Sequence, residues 1–285
     1  MALYPTIFCA IDFSVHSRTA LRIALDLASR AGSRVIAFHT IDLLLAQAAA
    51  AVYDDRRLRE DAEAELRNLV RSMGASQAVR DVVVDVGRPE QAIVAAARER
   101  HADLIVMGTQ GLGGLRKVFF GSVTEKVLRE SEIPVLAARA DGYDGTEAWC
   151  TGVVAAVEFD GTLDAVVRHA RAFCDEFDLP LTLVHVVRPL RALPQYTDAL
   201  GAAQEARIQE ARARLEEVAA TRGDRRRVGT EVRTGAPDEE IAAAASASPG
   251  RIVVIGTGGG RMLHRPGSTA YRVLSLSSCP VLAVP

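Results

Sequence analysis

The stretch Gly108–Thr124, reading GTQGLGGLRKVFFGSVT, holds the residues whose types and spacing could do chemistry. An apolar run, Leu104–Met107, precedes it, and a helical pattern, Val123–Glu130, follows. A buried strand, a glycine loop and a helix start are the parts of a phosphate cradle. Glycines let backbone N–H groups approach an anion, and the first turn of a helix offers unpaired donors with a favourable dipole. Two familiar phosphate loops do not fit. A Walker loop needs Gly-Lys-Ser/Thr, which is absent here, and a dinucleotide fingerprint follows the first strand of its unit. The first strand here ends in Ala10-Ile11-Asp12-Phe13-Ser14, without a glycine cluster. The spacing present is Gly108, two residues, Gly111, nine residues, Gly121-Ser122. Ser122-Val-Thr-Glu125 also has the form of a helix capping box.

The elements that must position this loop alternate. Continuous apolar runs predict strands over 6–11, 34–40, 79–86, 104–107 and 133–137. Helical spacing predicts helices over 17–31, 53–73, 90–100 and 122–131, with an Ala-rich connection after His39-Thr40-Ile41-Asp42. Strands alternating with helices imply a parallel sheet covered on both faces.

The pattern then starts again. Gly87-Arg-Pro-Glu90…Ile93 matches Gly235-Ala-Pro-Asp238…Ile241 at an offset of 148, and Gly108 matches Gly256 at the same offset. Gly121-Ser122 matches Gly267-Ser268, and Pro134-Val-Leu-Ala matches Pro280-Val-Leu-Ala, both at 146. Across these four landmarks the offset changes inside the glycine loop, so the chain holds two copies of one domain and the second loop is two residues shorter. The expected division is a first domain over 1–138, a Gly/Asp-rich linker over 139–149 and a second domain over 150–285.

The loop spacing, Asp12 ending the first strand, His39-x-Ile-Asp42 ending the second and Ser131-x-x-Pro134-Val-Leu at the fifth resemble the universal stress protein family, in its ATP-binding branch. The resemblance covers both halves. It implies an α/β fold, two tandem open, parallel five-stranded sandwiches of order 3-2-1-4-5, pseudo-twofold related, with ATP over the carboxyl ends of the first and fourth strands. Carried over residue by residue, Ala10, Ile11 and Asp12 would border the ribose or adenine, and Thr40 would line the adenine side through its backbone. Met107 and Gly108 would flank the nucleotide, with Gly111 in the loop. Gly121, Ser122 and Val123 would bind phosphate oxygens through N–H groups. Arg116 and Lys117 could screen phosphates. The second loop departs from the pattern: Glu158 stands for Asp12, only seven residues separate Gly259 from Gly267, and Pro266 lacks a donor. The first half is therefore the expected competent site. His39 and His185 occupy matching strand ends, where a structural role is the expectation.

Bulk properties restrict partners. A net charge of −2 and aromatics at 5% give no footing for nucleic acid or an anionic membrane. No apolar run reaches the roughly 18 residues that span a bilayer, and no signal peptide is visible at the N-terminus, so a cytoplasmic place is expected. Cys9, Cys150, Cys174 and Cys279 form no CxxC pair, and buried free thiols are expected. No catalytic triad, metal-ligand spacing or acidic pair stands out. The expected function is ATP-dependent (ATP or ADP, with or without Mg2+) stress response or signalling through an unidentified protein partner, with at most slow hydrolysis. An adenine-nucleotide hydrolase and a nucleotide-free scaffold are the alternatives. The two fifth strands are expected to pair within one chain, leaving a monomer or a further homodimer.

Overall fold

The computed structural model describes the chain except residues 1, 50–53, 75–76, 111–120, 140–148, 191–196, 221–227, 249 and 259–267. It divides into two compact units, Met1–Trp149 together with Leu282–Pro285, and Cys150–Val281.

The first unit runs β1 (Thr6–Ala10), α1 (Val15–Ala31), β2 (Arg34–Asp42), α2 (Leu43–Ala49), α3 (Asp55–Ser72), β3 (Val79–Gly87), α4 (Pro89–Glu99), β4 (Leu104–Gly108), α5 (Ser122–Glu130) and β5 (Val135–Ala138). Its strands lie in the order β3-β2-β1-β4-β5, and the pairs are parallel. All five residues of β1 are buried, as are the first four of β4. That burial suits their unbroken apolar sequences, because helices cover both faces of such a sheet. Phe8 of β1 meets Phe38 of β2 with ring centroids 4.9 Å apart.

The second unit runs β6 (Gly152–Ala156), α6 (Leu163–Phe177), β7 (Leu181–Val187), α7 (Thr197–Ala220), β8 (Val228–Thr234), α8 (Pro237–Ser246), β9 (Arg251–Gly256) and α9 (Ser268–Leu276), before β10 (Val281–Val284) ends the chain. The order β8-β7-β6-β9 repeats that of β3-β2-β1-β4, again with parallel pairs. The repeat extends to single bonds. Ile105 N donates to Pro134 O at 2.9 Å, and the matching Val253 N donates to Pro280 O at 3.1 Å.

Element bounds shift from the sequence expectation by a residue or two, and two differences have a visible cause. α1 starts at Val15, because Ser14 caps it and accepts from Ser17 N at 3.1 Å. The connection after β2 opens with a helix, α2, whose first turn is held by Asp42 Oδ1 accepting from Leu44 N at 2.8 Å. Cys9, Cys150 and Cys174 are buried free thiols, and burial pushes Cys174 up to about 12. No helix among the described residues is long and apolar enough to cross a membrane.

The first helix of each unit stops in the same way. Gly32 (φ 70°) follows α1, donating to Ala28 O, and Asp178 (φ 54°) follows α6, donating to Cys174 O. A Cβ on Gly32 would meet nothing within 4 Å, so only the left-handed conformation opposes a side chain there. Gly32→Ala should therefore lower unfolding free energy by about 1–2 kcal/mol. Gly32→Asn should cost less, since Asn enters this region more readily. Urea denaturation of the three proteins measures both.

Candidate functional site

The carboxyl ends of β1 and β4 meet the starts of α1 and α5, and each residue there has a legible reason for its type. Asp12 Oδ1 accepts from Ser14 N at 3.0 Å, and Asp12 N donates to Ser17 Oγ at 3.3 Å. Asp12 thus shapes the turn into α1. Between them Phe13 holds φ 64°, which swings the chain off β1 and sets its ring 4.8 Å from that of His39. His39 Nδ1 lies 2.7 Å from Ile11 O, a bond that ties the end of β2 to the residue after β1. This is the structural role expected for His39. Ala10 and Ile11 are buried beside it.

Gly108 has a reason that the sequence did not show. A Cβ there would lie 2.8 Å from His16 C and 2.9 Å from Ser17 N, distances that side-chain carbons do not adopt. The glycine lets the first turn of α1 sit against the end of β4. Gly108 O then accepts from Thr124 Oγ1 at 2.9 Å, and Thr109 O accepts from Gly121 N at 2.8 Å. These two bonds seat the start of α5 over the end of β4.

At that start, Gly121 is the cap (φ −62°, ψ 134°) and makes no side-chain cap bond. Ser122 is the first helical residue and exposed, so the capping box read from Ser122 to Glu125 does not form with Ser122 as its cap. The N–H of Gly121 is also committed, to Thr109 O. The donors that remain are Ser122 N and Val123 N, neither of which meets an acceptor among the described residues. Helix starts leave such groups to solvent or ligand, and their dipole favours an anion. Two hydroxyls of the same region, Thr40 Oγ1 and Thr109 Oγ1, are buried without a hydrogen-bond partner among the described residues. Met107 is buried at the end of β4. Gly111, Arg116 and Lys117 lie outside the described residues.

The second unit keeps part of this arrangement. His185 Nδ1 lies 2.8 Å from Val157 O, and the ring of Phe159 lies 4.5 Å from that of His185. The rest has changed. Glu158 replaces Asp12, and burial raises its carboxyl while His185 and Arg188 pull it back. Thr162 stands where His16 does, and a Cβ on Gly256 would meet its Cβ and Oγ1 at 2.7 Å. Asp160 Oδ1 takes both the N–H (2.8 Å) and the hydroxyl (2.7 Å) of Thr162. Arg214 lies over the Phe159 ring at 4.2 Å. Val186 replaces Thr40, and Ala270 replaces Thr124. Gly259, Pro266 and Gly267 lie outside the described residues.

Sequence reading missed Thr109 and Thr124, which carry no motif of their own. It also missed an ion pair between Glu90 and Lys126, although Glu90 belongs to the repeated Gly-x-Pro-acid pattern. The two glycines ending β4 and β9 differ in what they face, and that difference is measurable. Gly108→Ala must push against helix backbone and should destabilise by about 1–3 kcal/mol, the usual cost of overpacking. Gly256→Ala has side-chain atoms of Thr162, not backbone, as its three nearest neighbours and should cost less. Urea midpoints for the two variants check the order.

Comparisons with known proteins agree with this architecture. The universal stress protein family matches residues 3–139 and again 152–285. A universal stress protein of Thermus aquaticus is 33% identical over 139 residues, covering 48% of this chain and 100% of that protein. One from Methanocaldococcus jannaschii is 30% identical over 156 residues, covering 48% of this chain and 93% of that protein. The crystal structure of a universal stress protein from Archaeoglobus fulgidus superposes with a TM-score of 0.67 over 98% of both chains, at 19% identity, and shows the shared fold. The family's span over both halves, with the duplicated βα order and the glycine-limited ends of β4 and β9, leads to one conclusion: the chain belongs to the universal stress protein family.

Proposed function

We propose that the first unit binds ATP across the ends of β1 and β4, and that the nucleotide serves a stress-response or signalling role. The observation that carries this reading is the pair of free donors, Ser122 N and Val123 N, at a helix start pinned to the end of β4. Phosphate oxygens satisfy such donors directly. Asp12, Thr40, Met107 and Gly108 surround the same strand ends, and the buried hydroxyls of Thr40 and Thr109 are unpaired groups that a polar ligand would satisfy. Gly111 completes the loop in this reading. Any Mg2+ would be held mainly by the triphosphate itself. Among the described residues no group of three or more His, Cys, Asp or Glu stands together.

The second unit, over 150–285, is read as a domain that has given up nucleotide. Its matching positions hold Thr162 bonded to Asp160, with Arg214 over Phe159. A general base facing the phosphates is not evident among the described residues of the first unit. Hydrolysis, if any, is slow, and the nucleotide acts by biasing a conformation or a partner surface.

Titration calorimetry with ATP tests the reading. Wild-type protein should bind in the micromolar range. Ser122→Pro removes one free N–H at the first helical position, where proline is accepted and the preceding ψ of 134° suits it. Affinity should fall about tenfold or more, because a hydrogen bond to a charged group contributes about 1.5–3 kcal/mol. Gly121→Val should abolish binding, and Gly267→Val should leave it unchanged. No affinity of wild type for ATP or ADP would sink the proposal and favour a scaffold whose loops only seat helices.

A further inference from the structure

One repeated pattern takes no part in the site just described. Gly87-Arg-Pro-Glu90 and Gly235-Ala-Pro-Asp238 open α4 and α8 at matching places. In both units the acid at the end of the pattern receives a cation from the helix that follows the glycine loop. Lys126 Nζ of α5 lies 2.7 Å from Glu90 Oε1, and Arg272 Nε of α9 lies 2.7 Å from Asp238 Oδ2. Lys126 and Arg272 match at the offset of 146 that relates the two glycine-serine starts. The acids are largely buried, with side chains 12% and 7% exposed. The Lys126 hydrogen bond, opposed by burial, holds the Glu90 carboxyl below the usual glutamate range.

The two pairs differ in a telling way. One is Glu with Lys, the other Asp with Arg, so a shorter acid goes with a longer cation. What the repeat preserves is an ion pair between the two helices, not a residue. The cations are 43% and 66% exposed, but a buried acid that loses its partner is costly, so each pair contributes more than one exposed on both sides. The neighbouring Arg98–Glu132 contact is exposed on both sides and offers no such hold.

In the first unit this bond has a particular position. α5 has nine residues, and Lys126 sits one turn beyond Ser122, on the same face. Gly121 N and Thr124 Oγ1 fix the start of α5 to the end of β4. Lys126 fixes the next turn to α4. Together they set both the place and the tilt of the free N–H groups of Ser122 and Val123. We propose that Glu90 and Lys126 are positioning residues for the phosphate end of the first-unit nucleotide site, acting through the tilt of α5. The inference rests on the reading that this site binds ATP.

The experiment compares ATP with adenosine by calorimetry on the full chain. Adenosine lacks the phosphates and reports on the rest of the site. Lys126→Met should weaken ATP about fivefold, the size expected of residues acting at one remove, and leave adenosine unchanged. Combining Glu90→Asp with Lys126→Arg installs the second unit's own pair and should bring ATP affinity back to within about twofold of wild type. Arg272→Met should change neither ligand. Without ligand, amide exchange in α5 should quicken in Lys126→Met. If Lys126→Met binds ATP as wild type does, the positioning role is wrong. If it loses ATP and adenosine equally, the pair only stabilises the fold and the inference fails. A wild type that ignores ATP removes the reading of the site itself, and this inference with it.

Discussion

The close approach of α1 to the last residue of β4 is the constraint on which the first unit's crest depends. Gly108 has no room for a Cβ because the backbone of His16 and Ser17 already occupies it. That contact places the capped start of α1, with Asp12 and Ser14 shaping the turn before it. The carbonyls of Gly108 and Thr109 then face the incoming α5, and each takes a donor from it. One strand end thus seats two helix starts. Helix starts concentrate unpaired N–H groups and positive potential, so seating two of them at one strand end makes the place suited to anions before any side chain is considered.

The duplication separates what the fold requires from what a ligand requires. Both units keep the histidine bound to the carbonyl after the first strand, the phenylalanine against that histidine, the left-handed residue after the first helix and the acid–cation bond between helices. These features lock elements to one another, and they persist whether or not the crest is altered. The strand ends differ at Asp12 against Glu158, His16 against Thr162, Thr40 against Val186 and Thr124 against Ala270.

Much of the architecture was legible because strands buried on both faces leave continuous apolar runs, and because the repeat supplies each element twice. The α2 segment was not legible. Leu43–Ala49 has no polar face, and its one start signal, Asp42, also closes β2. Ser122 fitted a capping-box spacing, yet the cap position went to Gly121, since sequence spacing fixes a motif only to within a residue. Gly108 was legible as a glycine that something approaches closely, but not as one approached by α1. Sequence gives the absence of a side chain and not the identity of the neighbour. Lys126 lay beyond reach for a related reason: its partner is 36 residues away and on another helix.

Thr40 carries the comparison of the two units furthest. Its hydroxyl is buried without a partner among the described residues, a state that costs about 1–3 kcal/mol relative to a satisfied group. The second unit holds Val186 at the matching position of β7, and valine has nearly the shape of threonine without the hydroxyl. The strand end therefore accepts an apolar side chain, and the hydroxyl is not there for packing. Thr109 shows the same unpaired state at the end of β4. An unpaired buried polar group can be retained as a strain reservoir or for a partner that binds. Here two of them stand at strand ends of the first unit, Thr40 on β2 and Thr109 just after β4. The distribution fits a polar ligand at this crest better than a scaffold, which would gain stability by losing both hydroxyls.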